Sequence, residues 1–271
     1  MAIFLRMTHT PPFLPQFDVT TNSILTLFYV VATFCILPAT GLAAPAEHTA
    51  ATVRKLSLPP PADLQYQITA RQSGLTIDGT ARVQWHWADG RFSVNSETRA
   101  AMFGKVFEVG SMGGIDALGL APTTFVDKRL RKSATTTTFD RKTKTIRFSA
   151  SSAAYPIKGG EQDRNSVIWQ LISVARGAGS AFKAGSEWPF FVAGQRDAQR
   201  WTFNVGKPEK IRTALGVVNA VHVVRVPPAD SKGQKLDIWL APTMQWYPAK
   251  LRFTETDGDF IEQTLESIAK S

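Results

Sequence analysis

From residue 64 onward the chain alternates apolar and polar positions with a period of two. Leu64, Tyr66, Ile68 and Ala70 share one face, and Gln65, Gln67 and Thr69 the other. Ala81, Val83, Trp85 and Trp87 then alternate with Arg82, Gln84 and His86. Such alternation predicts half-buried strands. Asp89–Gly90 is a hairpin signal, and further turn signals are Asp140–Arg141–Lys142–Thr143, Gly206–Lys207–Pro208, Pro227–Pro228 and Asp257–Gly258. They delimit predicted strands at 123–130, 134–140, 145–149, 188–192, 199–205, 210–213, 220–226, 235–240, 249–255 and 260–268. The glycines of Gly110–Ser111–Met112–Gly113–Gly114 predict a bulge or tight crossing. Strands this short and this regularly punctuated predict one antiparallel sheet curling on itself.

One stretch breaks the pattern. In residues 161–177, Arg164, Ile168, Leu171, Ile172 and Ala175 recur with helical spacing, and Ser166, Gln170 and Ser173 lie opposite. Asp163 is placed to cap the first turn, and Gly177 and Gly179 stop the helix. A lone amphipathic helix among strands serves to cover the apolar face of the sheet. The expected fold class is therefore mainly β: a half-barrel or barrel-like meander wrapped around one helix. A flat sandwich, the alternative, would need a second inner sheet and no helix.

The first 62 residues read differently. Residues 24–43 are almost unbroken apolar sequence, and Ala44–Pro45–Ala46 follows as a cleavage-like site. This is the layout of an export signal over residues 1–46. Twenty apolar residues also suffice for a membrane anchor, which is the rival reading of 24–43. Residues 47–62, with Pro59–Pro60–Pro61, read as an extended linker, and 63–271 as one β-rich domain. The single cysteine, Cys35, lies in the apolar run. The exported part thus lacks a disulfide or thiolate chemistry, which suits a periplasmic domain large enough to rely on its core.

The chain of 271 residues has 31 basic and 22 acidic residues, a net charge of +9. Lys128, Arg129, Arg131, Lys132, Arg141, Lys142, Lys144 and Arg147 face only Asp127 and Asp140 in the segment 127–147. They form a candidate contact surface for anionic membrane or lipopolysaccharide, or else guard an exposed strand edge. Nucleic acid is not an expected partner of an exported chain.

Sequence motifs for hydrolase elbows, zinc helices, phosphate loops and calcium loops do not occur. His48, His86 and His222 are scattered, so no catalytic residue, metal or cofactor is assigned. Glu255, Asp257, Asp259 and Glu262 surround a turn and read as turn chemistry. Of seven tryptophans, Trp85, Trp87, Trp169, Trp201 and Trp239, together with Arg164, are the candidate lining of a ligand cavity. Core filling is the favoured reading of each indole taken singly, and structural pairing that of Arg164.

Several stretches occur together: Leu64-x-Tyr66; Gly79-x-Ala81 with Val83 and Trp85; Gly119–Leu120–Ala121–Pro122; Gln162–Asp163–Arg164 with Ser166 and Gln170–Leu171; and Trp239–Leu240–Ala241–Pro242 with Trp246-x-Pro248. In this order they resemble domain-of-unknown-function family 3108, exported proteins of Gram-negative bacteria, over nearly all of 62–269. The resemblance implies a curved antiparallel sheet holding a helix, and supplies no activity to assign to any residue. The leading expectation is a non-catalytic periplasmic binding or carrier protein for an amphipathic anionic envelope component: a lipid, lipoprotein or glycolipid. The alternative is an envelope adaptor with a packed interior that binds protein partners.

Overall fold

The computed structural model describes residues 48–49, 51–228 and 233–270. The apolar run 24–43 and the cleavage-like site at 44–46 lie outside these residues. No helix among the described residues is long and apolar enough to cross a membrane.

Among the described residues, fifteen strands and one α-helix follow in chain order. They are β1 (Ala62–Gln72), β2 (Leu75–Ala88), β3 (Arg91–Ala100), β4 (Gly104–Asp116), β5 (Gly119–Arg129), β6 (Thr135–Asp140), β7 (Thr145–Phe148), β8 (Ser151–Pro156) and β9 (Gln162–Asp163). The helix α1 (Ser166–Gly177) comes next, then β10 (Glu187–Ala193), β11 (Ala198–Thr213), β12 (Gly216–Arg225), β13 (Lys235–Leu240), β14 (Pro248–Thr254) and β15 (Phe260–Lys270). All fifteen strands belong to one sheet, in the order β8-β7-β6-β5-β4-β3-β2-β1-β15-β14-β13-β12-β11-β10-β9. Every pairing is antiparallel except β9 with β10, where α1 makes the crossover a parallel pair requires. The sheet is curved and not closed by hydrogen bonds, as the alternation predicts.

Antiparallel succession puts alternate connections at opposite ends. The β1–β2, β3–β4, β5–β6, β10–β11, β12–β13 and β14–β15 turns lie at one end, called here the tip end. The β2–β3, β4–β5, β6–β7, β11–β12 and β13–β14 turns lie at the other. Residues 51–61 also lie there as an extended strap leading into β1, so this is the strap end.

The helix fills the strap end of the concave face. Val167, Leu171, Ile172 and Val174 are buried against Leu64, Tyr66, Leu120, Phe203, Ile238 and Leu265. Trp169 stacks on Trp85 with ring centroids 4.5 Å apart and planes 9° from parallel. The stretch read as a linker is extended, and it packs on this core. The indole N–H groups of Trp85 and Trp87 donate to the Pro59 carbonyl at 3.1 and 2.8 Å. Tyr247 donates to the Pro60 carbonyl at 2.7 Å, and the Ser57 N–H to Ser173 O at 3.0 Å. A second cluster forms where β10 meets the far wing: Phe191 and Ala193 pack with Phe125, Phe139, Ile146 and Phe148.

Three local expectations are corrected. The helix begins at Ser166, because Gln162–Asp163 pairs with β10 as a two-residue strand. Its polar face is not wet: Ser166, Gln170 and Ser173 are buried, while Arg164 and Ile168 are partly exposed. Sheet and strap enclose the helix, and each of these side chains is hydrogen-bonded. Gly206–Lys207–Pro208 is no turn, since β11 runs through it as a bulge between Val205 and Pro208. The predicted bulge in the glycine stretch of β4 falls between Met112 and Gly113.

Candidate functional site

Asp163 anchors the start of the helix. Its Oδ1 accepts the N–H groups of Asn165 and Ser166, both at 2.8 Å, and its Oδ2 accepts the Ser111 hydroxyl. Ser166 Oγ in turn accepts the Asp163 N–H at 2.9 Å, so the two residues cap each other reciprocally. Gln162 donates to Leu120 O at 2.7 Å. Gln170 accepts the Leu120 N–H at 2.9 Å and donates to Leu118 O at 2.8 Å. Asn165 donates to Val94 O at 3.0 Å. These bonds pin the helix to β3, β4 and β5 about midway along the concave face, leaving the tip end of that face beyond the helix.

That tip end carries an unusual charge arrangement. Arg225, the last residue of β12, has the same facing as the core residue Val223 and is 4% exposed. Its guanidinium lies 4.5 Å from the centre of the Trp201 ring. It donates to Gln234 O at 2.7 Å, and it makes no ion pair among the described residues. The buried Trp201 N–H has no hydrogen-bond partner among the described residues. Arg164 leans on the Gly194 backbone, with its nearest carboxylate, Asp197, at 4.0 Å. Burial, and after it the charge of Arg164, lowers the Arg225 guanidinium to about 10. Burial likewise lowers Arg164, against the pull of Asp197. The neighbouring Arg129 is already satisfied, binding Asp127 through two bonds of 3.0 and 3.1 Å.

An apolar row leads away from this pair. Arg225 is opposite Leu236, Leu236 opposite Phe253, Phe253 opposite Ile261, Ile261 opposite Ala70 and Ala70 opposite Ile77. Directly paired residues share a face, so this is one continuous band. Ile77, Phe253 and Ile261 in it are only partly buried.

The candidate lining residues therefore separate. Arg164 and Trp201 lie at the tip end. Trp85 and Trp169 form the packed stack, and Trp87 is tied to the strap. Trp239 is on the convex face, stacked on His222 at 4.7 Å and bonded to Glu209 at 2.8 Å. Arg225 was missed because a cation at a strand end gives no sign of facing inward. Its place in the 221, 223, 225 alternation was the available clue. The eight basic residues also separate, because the two turns bounding β6 lie at opposite ends of the sheet. Lys128, Arg129, Arg131 and Lys132 are at the tip end, and Arg141, Lys142, Lys144 and Arg147 at or near the strap end.

A second concavity of about 270 Å³ lies between strap, helix and β10, lined by Arg54, Leu56, Leu118, Val174, Phe190 and Arg200 among others. It falls just below the ~300–1,000 Å³ typical of small-molecule sites, too small for a whole lipid. Among the described residues no three of His, Cys, Asp and Glu converge as a metal would require.

A family model described as a protein of unknown function, DUF3108, matches residues 65–266. The chain belongs to DUF3108. In this DUF3108 chain the motif residues Gly119–Leu120, Gln162, Asp163 and Gln170 pin the helix. Among solved structures it is similar to a Vibrio parahaemolyticus domain named for outer membrane lipoprotein sorting, at 10% identity, 78% of this chain, 85% of that one and TM-score 0.34. A Bacteroides fragilis protein named as exported, with a YmcC-like fold, gives 8% identity, 81% and 100% coverage and TM-score 0.34. A Parabacteroides distasonis protein named as a lipoprotein gives 9%, 82%, 100% and 0.29. No curated protein matches the chain.

Proposed function

We propose that this DUF3108 protein is a non-catalytic binding protein of the cell envelope that holds an amphipathic anion at the tip end of its concave face. The observation that carries this reading is Arg225: a buried, inward-facing cation that, among the described residues, has no carboxylate, beside Arg164 and an indole N–H that has no partner there. Leaving such donors unmet is costly, and an oxyanion supplies what they lack. The band Leu236–Phe253–Ile261 offers an apolar path for a chain attached to that head. The export-like segment supports the envelope as the location. A protein-binding adaptor with a filled interior is served by the packed strap end but has no use for the arginine pair.

The test is a titration of the purified protein with dodecanoate, read by tryptophan fluorescence. Two charge-assisted hydrogen bonds at ~1.5–3 kcal/mol each make the expected loss at least tenfold in Arg225→Gln, and similar in Arg164→Gln. Absence of dodecanoate binding, or equal binding by Arg225→Gln, refutes the reading and favours the adaptor.

A further inference from the structure

The tip end also carries an unusual rim. Leu75 follows the β1–β2 turn and is 54% exposed, Met102 in the β3–β4 turn is 86% exposed, and Leu130 opening the β5–β6 turn is 38% exposed. Across the sheet Val226, just after β12, is 60% exposed. Single exposed apolar residues are ordinary. Here three occupy successive turns on one edge. Their strands are β1 to β6 in unbroken spatial order, so neighbouring turns stand roughly 10 Å apart, two strand spacings.

Cations accompany them. Lys128, Arg131 and Lys132 are exposed around the β5–β6 turn, and Arg71 is exposed at the end of β1. Arg99 and Lys105 also stand at this end, paired with Glu97 at 2.7 and 2.6 Å. The acidic part of the rim is the β14–β15 turn, where Asp257 and Asp259 cluster and Asp259 accepts the Ser73 N–H at 2.8 Å. The rim is therefore polarised. One arc is apolar and basic, from β1 to β6, and its neighbour is acidic.

We infer that the β1–β6 arc of the tip end is a docking surface for an anionic membrane. Leu75, Met102 and Leu130 enter the headgroup boundary, and Lys128, Arg131 and Lys132 meet lipid phosphates. Apolar tips and cations act together in such binding, since burial of apolar area and attraction to anionic lipid add. The acidic β14–β15 turn, tied to Ser73, bounds the arc at its β1 end, which tilts the molecule toward Met102 and Leu130. Docked in this way, the Arg164–Arg225 end of the concave face is turned toward the bilayer. The inference stands on the turn residues and not on the ligand reading.

Vesicle co-sedimentation tests it, with phosphatidylcholine alone and mixed with phosphatidylglycerol, at low and high salt. The wild-type protein should pellet with the anionic vesicles, should not pellet with the neutral ones, and should be released by salt. Met102→Asp combined with Leu130→Asp should weaken binding, and Arg131→Glu combined with Lys132→Glu should weaken it by about tenfold or more. All four positions are exposed turn residues, so folding is not at stake. Lys142→Glu combined with Lys144→Glu, at the strap end, should bind as wild type does. Dodecanoate affinity should be unchanged in all three variants, so failure here and failure of the ligand reading are separately visible. The inference is overturned if wild-type protein ignores anionic vesicles at low salt. It is equally overturned if the tip variants bind undiminished, or if the strap-end variant loses as much as they do.

Discussion

Asp163 gives a sharp test of what holds the helix in place. It is completely buried, and burial pushes its carboxyl from 3.8 up to about 6, the hydrogen bonds from Ser111, Ser166 and Asn165 restraining the rise. The folded protein thus binds this proton more tightly than the unfolded chain does. The stabilisation is fully present below about pH 4 and is lost as pH rises through about 6. About two units at ~1.36 kcal/mol each give about 3 kcal/mol across that window. Asp163→Asn keeps the acceptor for the Asn165 and Ser166 N–H groups, and its amide can donate to Ser111 Oγ once that hydroxyl turns. The variant has no charge to desolvate, so its stability should lack this slope. Urea unfolding of both proteins at stepped pH should show the wild type losing about 3 kcal/mol relative to Asp163→Asn between about pH 4 and 7. Parallel curves, or a wild type that gains on the variant as pH rises, would show that the carboxylate is ionised throughout. The hydrogen bonds would then outweigh burial, and the reasoning would be refuted.

Other outcomes follow from the same packing. Leu171→Ala should cost about 2–5 kcal/mol in a chemical melt, because Leu171 is fully enclosed by helix and sheet; an unchanged melt would mean the helix is not part of the core. Gly119→Ala should destabilise strongly, since Gly119 has φ +105° and a Cβ there would sit 2.4 Å from Gln170 Oε1; a wild-type melting temperature would contradict this. Arg225→Met should leave stability unchanged or raise it while abolishing dodecanoate binding, because it removes a buried charge that has no ion-pair partner among the described residues. A large loss of stability would show that Arg225 is structural.

The strands were legible because the concave face is dry and the convex face wet, and that difference writes a period of two into β1, β2 and β12. Where both faces are buried the signal fails. In β10, Phe190 and Phe191 face different clusters, so the run 188–192 shows no alternation. Gln162–Asp163 was absorbed into the helix because a two-residue strand has no period, and its burial depends on partners far along the chain. The candidate site was half legible. Arg164 stood out as a cation opening an apolar helix. Its companion Arg225 lies 61 positions away in sequence and is joined to it only by the curl of the sheet. The basic segment 127–147 misled for a related reason: closeness in sequence across a six-residue strand puts its two ends at opposite ends of the sheet.

The sheet order has a consequence for how the chain folds. β1 and β15 are adjacent near the middle of the sheet, with Ala62 opposite Lys270, while the two edge strands, β8 and β9, follow one another in sequence. Each wing can grow hairpin by hairpin from local contacts. The central joint must close a loop of about two hundred residues, whose entropy is repaid only when both wings exist. The β1–β15 pairing should therefore form late, leaving two part-built wings with open inner edges. Such edges are sites for pairing with another chain. A refolding experiment at rising protein concentration should lose yield at this step, and a substitution in β15 should slow folding less than it speeds unfolding.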